Sequence, residues 1–233
     1  MNGLPCRRGE VSACLLVFFL ILSAGGCSRV PELAQRDLPH QPEVAKPGDS
    51  LPEPTPLERW QELVRKYKYA SVNQKLMSVN AFFNQFEFAE DRNLWGTDDY
   101  WATLSETLRM SAGDCEDFTI AKYFTLRELN IPQENMRLTY VISLKTKQPH
   151  MVLTLHLDPS RDPIVLDSEN NSLLPVSMRQ DLVPVFSFNA EGYWLAKKDK
   201  GWRGERIGSA GNLFLWHDVL ERMNGDGSAA ADG

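Results

Sequence analysis

The chain has 233 residues, 42% of them hydrophobic, and a formal charge of −6 at pH 7. That length holds one ordinary domain with extensions. An acidic balance without a basic run speaks against a nucleic-acid partner, because phosphate binding needs a basic footprint.

Arg7 and Arg8 form a basic start, and "ACLLVFFLILSA" at 13–24 is an apolar run of signal-peptide length. It falls short of the ~20 residues a spanning helix needs. Ala24 and Gly26 suit cleavage by an ordinary signal peptidase. Cys27 directly after them also suits a bacterial lipoprotein site, although Ala24 stands where such sites usually carry Leu. The expected location is the periplasm, either free or lipid-anchored at Cys27. The next stretch is rich in Pro and polar groups, too poor in apolar residues to bury a core, and reads as a tether. The expected division is a signal peptide at 1–26, a Pro-rich tether at 27–57, a folded domain at 58–223 and a disordered tail at 224–233.

Within the domain, Thr55, Pro56 and Glu58 form a capping box with Pro at the first helical position. Trp60, Leu63, Val64 and Tyr67 follow on one helical face. Ser71 and Gln74 open a second helix, whose Leu76, Val79, Phe82, Phe83 and Phe86 read as core. After the break at Gly96 a third helix is expected from Thr97 or Asp98. Gly113 suggests an unusual turn and Asp114 an N-cap, which makes Cys115 the first residue of a helix ending near Asn130 and Pro132.

The period then changes. "MRLTYVISLK" places Met136, Leu138, Tyr140, Ile142 and Leu144 on one face, and "HMVLTLHL" places Met151, Leu153, Leu155 and Leu157 inward. "IVLDSE", "LVPVFSFN" and "EGYWLAK" are three more strands joined by short turns, which favours antiparallel pairing. Helices followed by strands define an α+β fold, N-terminal helices packed on an antiparallel sheet. "NLFLWHDVLERM" is a last helix.

Four cysteines occur, and Cys6, Cys14 and Cys27 lie in or beside the signal. Cys115 alone belongs to the domain. An exported protein normally pairs its cysteines, so a single one is either reactive or inert and buried. A cysteine nucleophile needs a base, and the base an orienter. His217 looks peripheral. His150 and His156 share strand parity, so alternation cannot separate them; it makes His156 a surface residue beside the "DPSRDP" turn. His150 begins its strand. If that strand and the next form a hairpin, His150 lies beside Asp167, within cross-strand reach. Cys115, His150 and Asp167 are thus a geometrically consistent triad, and a helix start lowers a thiol's pKa. The same residues also fit a plainer account: a buried Cys, an edge-strand His and a turn Asp. A decoy lies at Asp158, Ser160, Asp162 and Glu169, which match EF-hand ligand spacing, but Pro163 takes the place of the required Gly.

"GDCEDFTIAKYFTLRELNIP", the His of "QPHMVL", the Asp of "IVLDS" and the segment "LWGTDDYWAT" closely resemble the bacterial transglutaminase-like cysteine proteinase family. The resemblance implies a transglutaminase/papain-like cysteine proteinase fold, with Cys115 as nucleophile, His150 as base and Asp167 as orienter. It implies calcium dependence, with Asp114 and Glu116 as Ca²⁺ ligands and Asp117 as a further one. A cation there explains the acids, which otherwise oppose a thiolate by like-charge repulsion. It implies as substrate the N-terminal region of a large surface adhesin, cut at a small-residue site in biofilm detachment. As partner it implies the periplasmic domain of an inner-membrane cyclic di-GMP receptor. The same machinery with an amine in place of water would be a transglutaminase.

Overall fold

The computed structural model describes residues 52–197 and 200–229. The expected signal peptide, Cys27 and most of the tether lie outside the described residues. Both N-terminal capping boxes form as the sequence dictates. Thr55 caps α1 (Pro56–Tyr67) and Ser71 caps α2 (Val72–Phe83), each reciprocally with the side chain at N3. Phe83 is fully buried, with the rings of Phe82 and Phe86 packed against it. The central helix α5 (Cys115–Glu128) is buried along nearly its whole length, from Asp117 to Leu126.

The helix expected from Thr97 or Asp98 begins later, as α4 (Leu104–Met110), capped by Thr103 with Glu106. A single turn, α3 (Asp91–Leu94), precedes it. Residues 97–102 stay open because side chains capture their backbone: Asp91 takes the Tyr100 N–H at 2.7 Å and Asp117 takes the Ala102 N–H at 2.7 Å. Two dipeptides too short to read from sequence, β1 (Glu87–Phe88) and β2 (Ala112–Gly113), pair in parallel and hold the approach to α5.

Seven strands form the main sheet: β3 (Met136–Ser143), β4 (Pro149–Leu155), β5 (Ile164–Leu166), β6 (Leu174–Pro175), β7 (Leu182–Phe188), β8 (Tyr193–Lys197) and β9 (Gly201–Gly208). Their order is β6-β5-β4-β3-β7-β8-β9, and every pairing is antiparallel. The expected α+β class is therefore observed. Met136, Leu138, Met151, Leu153 and Leu155 face the main core under the helices. On alternate positions Val141, Val152 and Val165 form a second cluster with Val176 and Leu182. Leu144 and Leu157, expected inward, lie beyond their strand ends and are exposed. β7 bulges at Val185, between the partners of Tyr140 and Val141, and Pro184 stands beside the bulge, the kind of site where a strand tolerates proline. β9 carries a polar, Gly-rich sequence that gives no strand signal; it sits at the sheet edge. The last helix, α6 (Phe214–Ala229), continues past residue 224, where a disordered tail was expected.

Candidate active site

The site starts from the first turn of α5. Asp114 accepts the Glu116 and Asp117 N–H groups, at 3.2 and 3.4 Å, and Asp117 returns a bond to the Asp114 N–H at 3.4 Å. Gly113 is not the unusual turn expected. It lies in extended β2, and the need for glycine is close approach: a Cβ there would stand 2.8 Å from both Cβ and Oδ2 of Asp117. The left-handed residue is Ser111, with φ 54°, at the end of α4.

Asp91, Asp114 and Asp117 each present a carboxylate oxygen, all within 4.8 Å of one another. Asp91 is 6% exposed, and its Oδ1 is buried without a hydrogen-bond partner. Burial and mutual repulsion raise the carboxyl pKa of Asp114 to about 9. Burial, with Asp91 and Glu116 adding, raises that of Asp117 to about 7 against the opposing Ala102 N–H bond. An orphaned acceptor among carboxylates that resist ionising together is the donor chemistry that suits a hard dication. Sequence reading missed Asp91, whose only signal was the acidic composition of "EDRNLWGTDD". Glu116 is not in this trio. Its Oε2 accepts a hydrogen bond from the Cys115 thiol at 2.8 Å, although it lines the same cleft as Asp91 and Asp114.

Cys115 is half-buried at the helix start. Burial, then the charge and hydrogen bond of Glu116, push its thiol pKa up, while hydrogen bonding from the Met151 main chain acts the other way. The nucleophile candidate therefore abuts the residue beside His150. Thr119, one turn along α5, reinforces the seam by donating to the Met151 carbonyl at 3.1 Å.

On the sheet, His150 Nε2 lies 2.8 Å from Asp167 Oδ1, with both side chains almost wholly buried. The register explains the contact. Leu153 pairs with Leu166, so Asp167 follows the last pair and His150 reaches it diagonally across the strand ends. Burial raises the Asp167 pKa, but the His150 bond and charge, the Glu169 N–H and Arg179 outweigh it and hold the carboxyl down at about 2.

His156 is not the surface residue that alternation predicts. It is partly buried, with Nε2 3.1 Å from Thr154 Oγ1, and burial followed by Arg137 and Arg203 depresses its pKa to about 3. It has no contact with Asp167. The unfolded chain protonates this histidine near pH 6.5 while the folded chain does not, so stability falls as pH drops from about 6.5 toward 3. At pH 5 that amounts to about 2 kcal/mol. Urea midpoints at pH 7 and 5 should show this loss in the wild type and a smaller one in His156→Gln. His217 is exposed, 3.4 Å from Glu221.

A cleft of about 530 Å³ is lined by Asp91, Asp114, Trp101, Tyr140, Phe186 and Glu116, the residue that bonds the thiol. Tyr140 and Phe186 stack at 5.0 Å. A thiol at a helix start, seamed to a strand whose histidine pairs with an aspartate at the end of the next strand, is the frame of a cysteine proteinase. The family model for the bacterial transglutaminase-like cysteine proteinases matches residues 59–197, and the chain belongs to that family. Legionella pneumophila LapG, in an EGTA-treated structure, is 41% identical over 72% of this chain and 88% of its own, with a TM-score of 0.65. Its calcium-bound structure is also 41% identical, over 72% and 89%, with a TM-score of 0.63. No curated protein sequence matches significantly.

Proposed function

We propose that the protein is a calcium-dependent cysteine endopeptidase using Cys115, His150 and Asp167. The observation that carries this reading is the buried His150–Asp167 pair, set beside the helix start that holds the thiol. An ionised carboxylate only accepts hydrogen bonds, so His150 carries its proton on Nε2 and offers Nδ1 as the base. His150 takes the Cys115 proton, and the thiolate attacks a peptide carbonyl. The Cys115 N–H, which takes part in neither Asp114 cap bond, would stabilise the oxyanion. His150 then protonates the leaving amine, and water resolves the thioester.

Asp91, Asp114 and Asp117 would hold Ca²⁺, with Glu116 at the same cleft as a fourth donor. When bound, the ion supplies positive charge that offsets the carboxylates around the thiol. The 41% identity to LapG, solved with calcium and after EGTA, supports calcium dependence.

The substrate reading is the N-terminal region of a large surface adhesin, cut in the periplasm at a small-residue site during biofilm detachment. The partner reading is the periplasmic domain of an inner-membrane cyclic di-GMP receptor that sequesters the protease. Family resemblance and the signal-like N-terminus support both. The deciding experiment incubates purified protein with such an adhesin fragment and a primary amine. Cleavage supports the proteinase, amine incorporation an acyl transferase, and absence of both a binding module.

Asp167→Asn should keep the fold yet lower kcat by about 10⁴-fold, because the amide presents the imidazole with the wrong tautomer. Turnover near the wild-type level with a normal melting curve would remove Asp167 from the mechanism.

A further inference from the structure

Asp167 has no exposed side-chain surface, yet it carries a charge. Burying an ion costs several kcal/mol unless it is paired and hydrogen-bonded. The His150 ring supplies one hydrogen bond, at Oδ1. Two further contacts reach the carboxylate, and a third holds its main chain. The Glu169 N–H donates to Oδ1 at 2.9 Å, Arg179 Nη2 donates to Oδ2 at 2.7 Å, and Asn84 Nδ2 donates to the Asp167 carbonyl at 2.8 Å. Arg179 is 4% exposed and is itself gripped by Asp181, Nε to Oδ1 at 2.9 Å and Nη2 to Oδ2 at 2.8 Å. The other nearby cation, Lys122, bonds Asn84 at 2.7 Å, and full burial depresses its pKa to about 7. Arg179 is therefore the cation that keeps its charge at any working pH.

We propose that Arg179 is a positioning residue for this proteinase site, fixing the Asp167 carboxylate so that it can only accept from His150 Nε2. This rests on the assignment of His150 and Asp167 above. A carboxylate free to rotate loses its alignment. One that takes up a proton becomes a donor and inverts the pair: the acid O–H then bonds Nε2, the ring proton moves to Nδ1, and the base is gone. Pinning Oδ2 from the buried side prevents both, while the fork to Asp181 fixes the guanidinium in turn. The role differs from that of Asn84, which holds the main chain and leaves the carboxylate's charge unbalanced.

The test compares Arg179→Gln, Arg179→Lys and Asp181→Asn in the mature full-length chain, with two readouts. Steady-state cleavage in Arg179→Gln should show kcat lower by about 10–100-fold, the range usual for groups that orient a functional histidine, with KM little changed. Arg179→Lys, which keeps the charge, should recover most of that loss. Asp181→Asn, at a half-exposed side chain, should fall in the same direction by less. The second readout is ¹⁵N NMR of the His150 ring: Nε2–H in the wild type and Arg179→Lys, and Nδ1–H or a mixture in Arg179→Gln. An unchanged kcat and tautomer in Arg179→Gln overturns the proposal, as does equal loss in the Gln and Lys variants. The tautomer needs no turnover. A wild type that cleaves nothing thus counts against the proteinase reading, and the NMR comparison still decides the role of Arg179. Should Arg179→Gln fail to fold, Asp181→Asn decides, and a wild-type kcat and Nε2–H tautomer there count against the proposal.

Discussion

Cys115→Ala and His150→Ala should each lower kcat for cleavage by roughly 10⁴–10⁶-fold, the loss seen when a nucleophile or its base is removed from a triad that works as a unit. Both variants should stay folded. Cys115 sits at the first turn of α5 and not in its buried run, and Ala is a good helix former. His150→Ala leaves Asp167 with Arg179 and the Glu169 N–H, so the carboxylate keeps partners. The double variant should be no worse than either single one. His156→Ala is the discriminating control. Its ring bonds Thr154 and makes no contact with Asp167, so it should retain most of the activity. Equal losses at His150 and His156 would transfer the base to the wrong strand end and sink the triad.

Removing calcium should be as damaging. With a chelator in excess, cleavage should stop, and added Ca²⁺ should restore it. Mg²⁺ should restore it poorly, since its small octahedral shell keeps its waters and fits an irregular carboxylate group badly. A readout independent of catalysis is available in Cys115→Ala. Calcium at about 100 times its Kd should stabilise that inert protein by about 2.7 kcal/mol, seen as a rise in melting temperature. Asp91→Ala should cancel the rise, because its unpartnered Oδ1 has no other role in the structure. Asp114→Ala should also cancel it, and Glu116→Ala should weaken it. If the acids served only the helix, Asp114→Ala would cost about 0.5–2 kcal/mol and chelation would change nothing. Full activity in metal-free protein would falsify the calcium assignment.

Local chemistry explains which parts of this arrangement could be read in the sequence. Capping boxes at Thr55 and Ser71 and the Asp114 N-cap form within a few residues, and all three appear where the sequence places them. The Met136–Leu138 and Met151–Leu155 alternation specified β3 and β4, and their hairpin with β5 led to the His150–Asp167 contact. The failures involve partners distant in sequence. Residues 97–102 have helix-compatible composition, but Asp117 takes the Ala102 N–H from another element. His156 alternates toward solvent, but the fold buries it within the field of Arg137 and Arg203. Asp91 joins Asp114 and Asp117 only through tertiary folding, and the acidic stretch around it does not single it out. Arg179 looks like an ordinary loop cation until Asp167 and Asp181 are seen on either side of it.

The seam between α5 and β4, tied by Thr119 and Met151, divides the reactive groups between two layers. The thiol belongs to the helical layer, the imidazole and its carboxylate to the sheet. Neither layer is dangerous alone. With the proposed triad, a chain whose two layers have not yet docked has no assembled site, which would spare it and its neighbours from premature cutting. The same division makes turnover a reporter of docking. A softened state that keeps its helices and strands but loosens their packing would show native far-ultraviolet circular dichroism and a silent active centre.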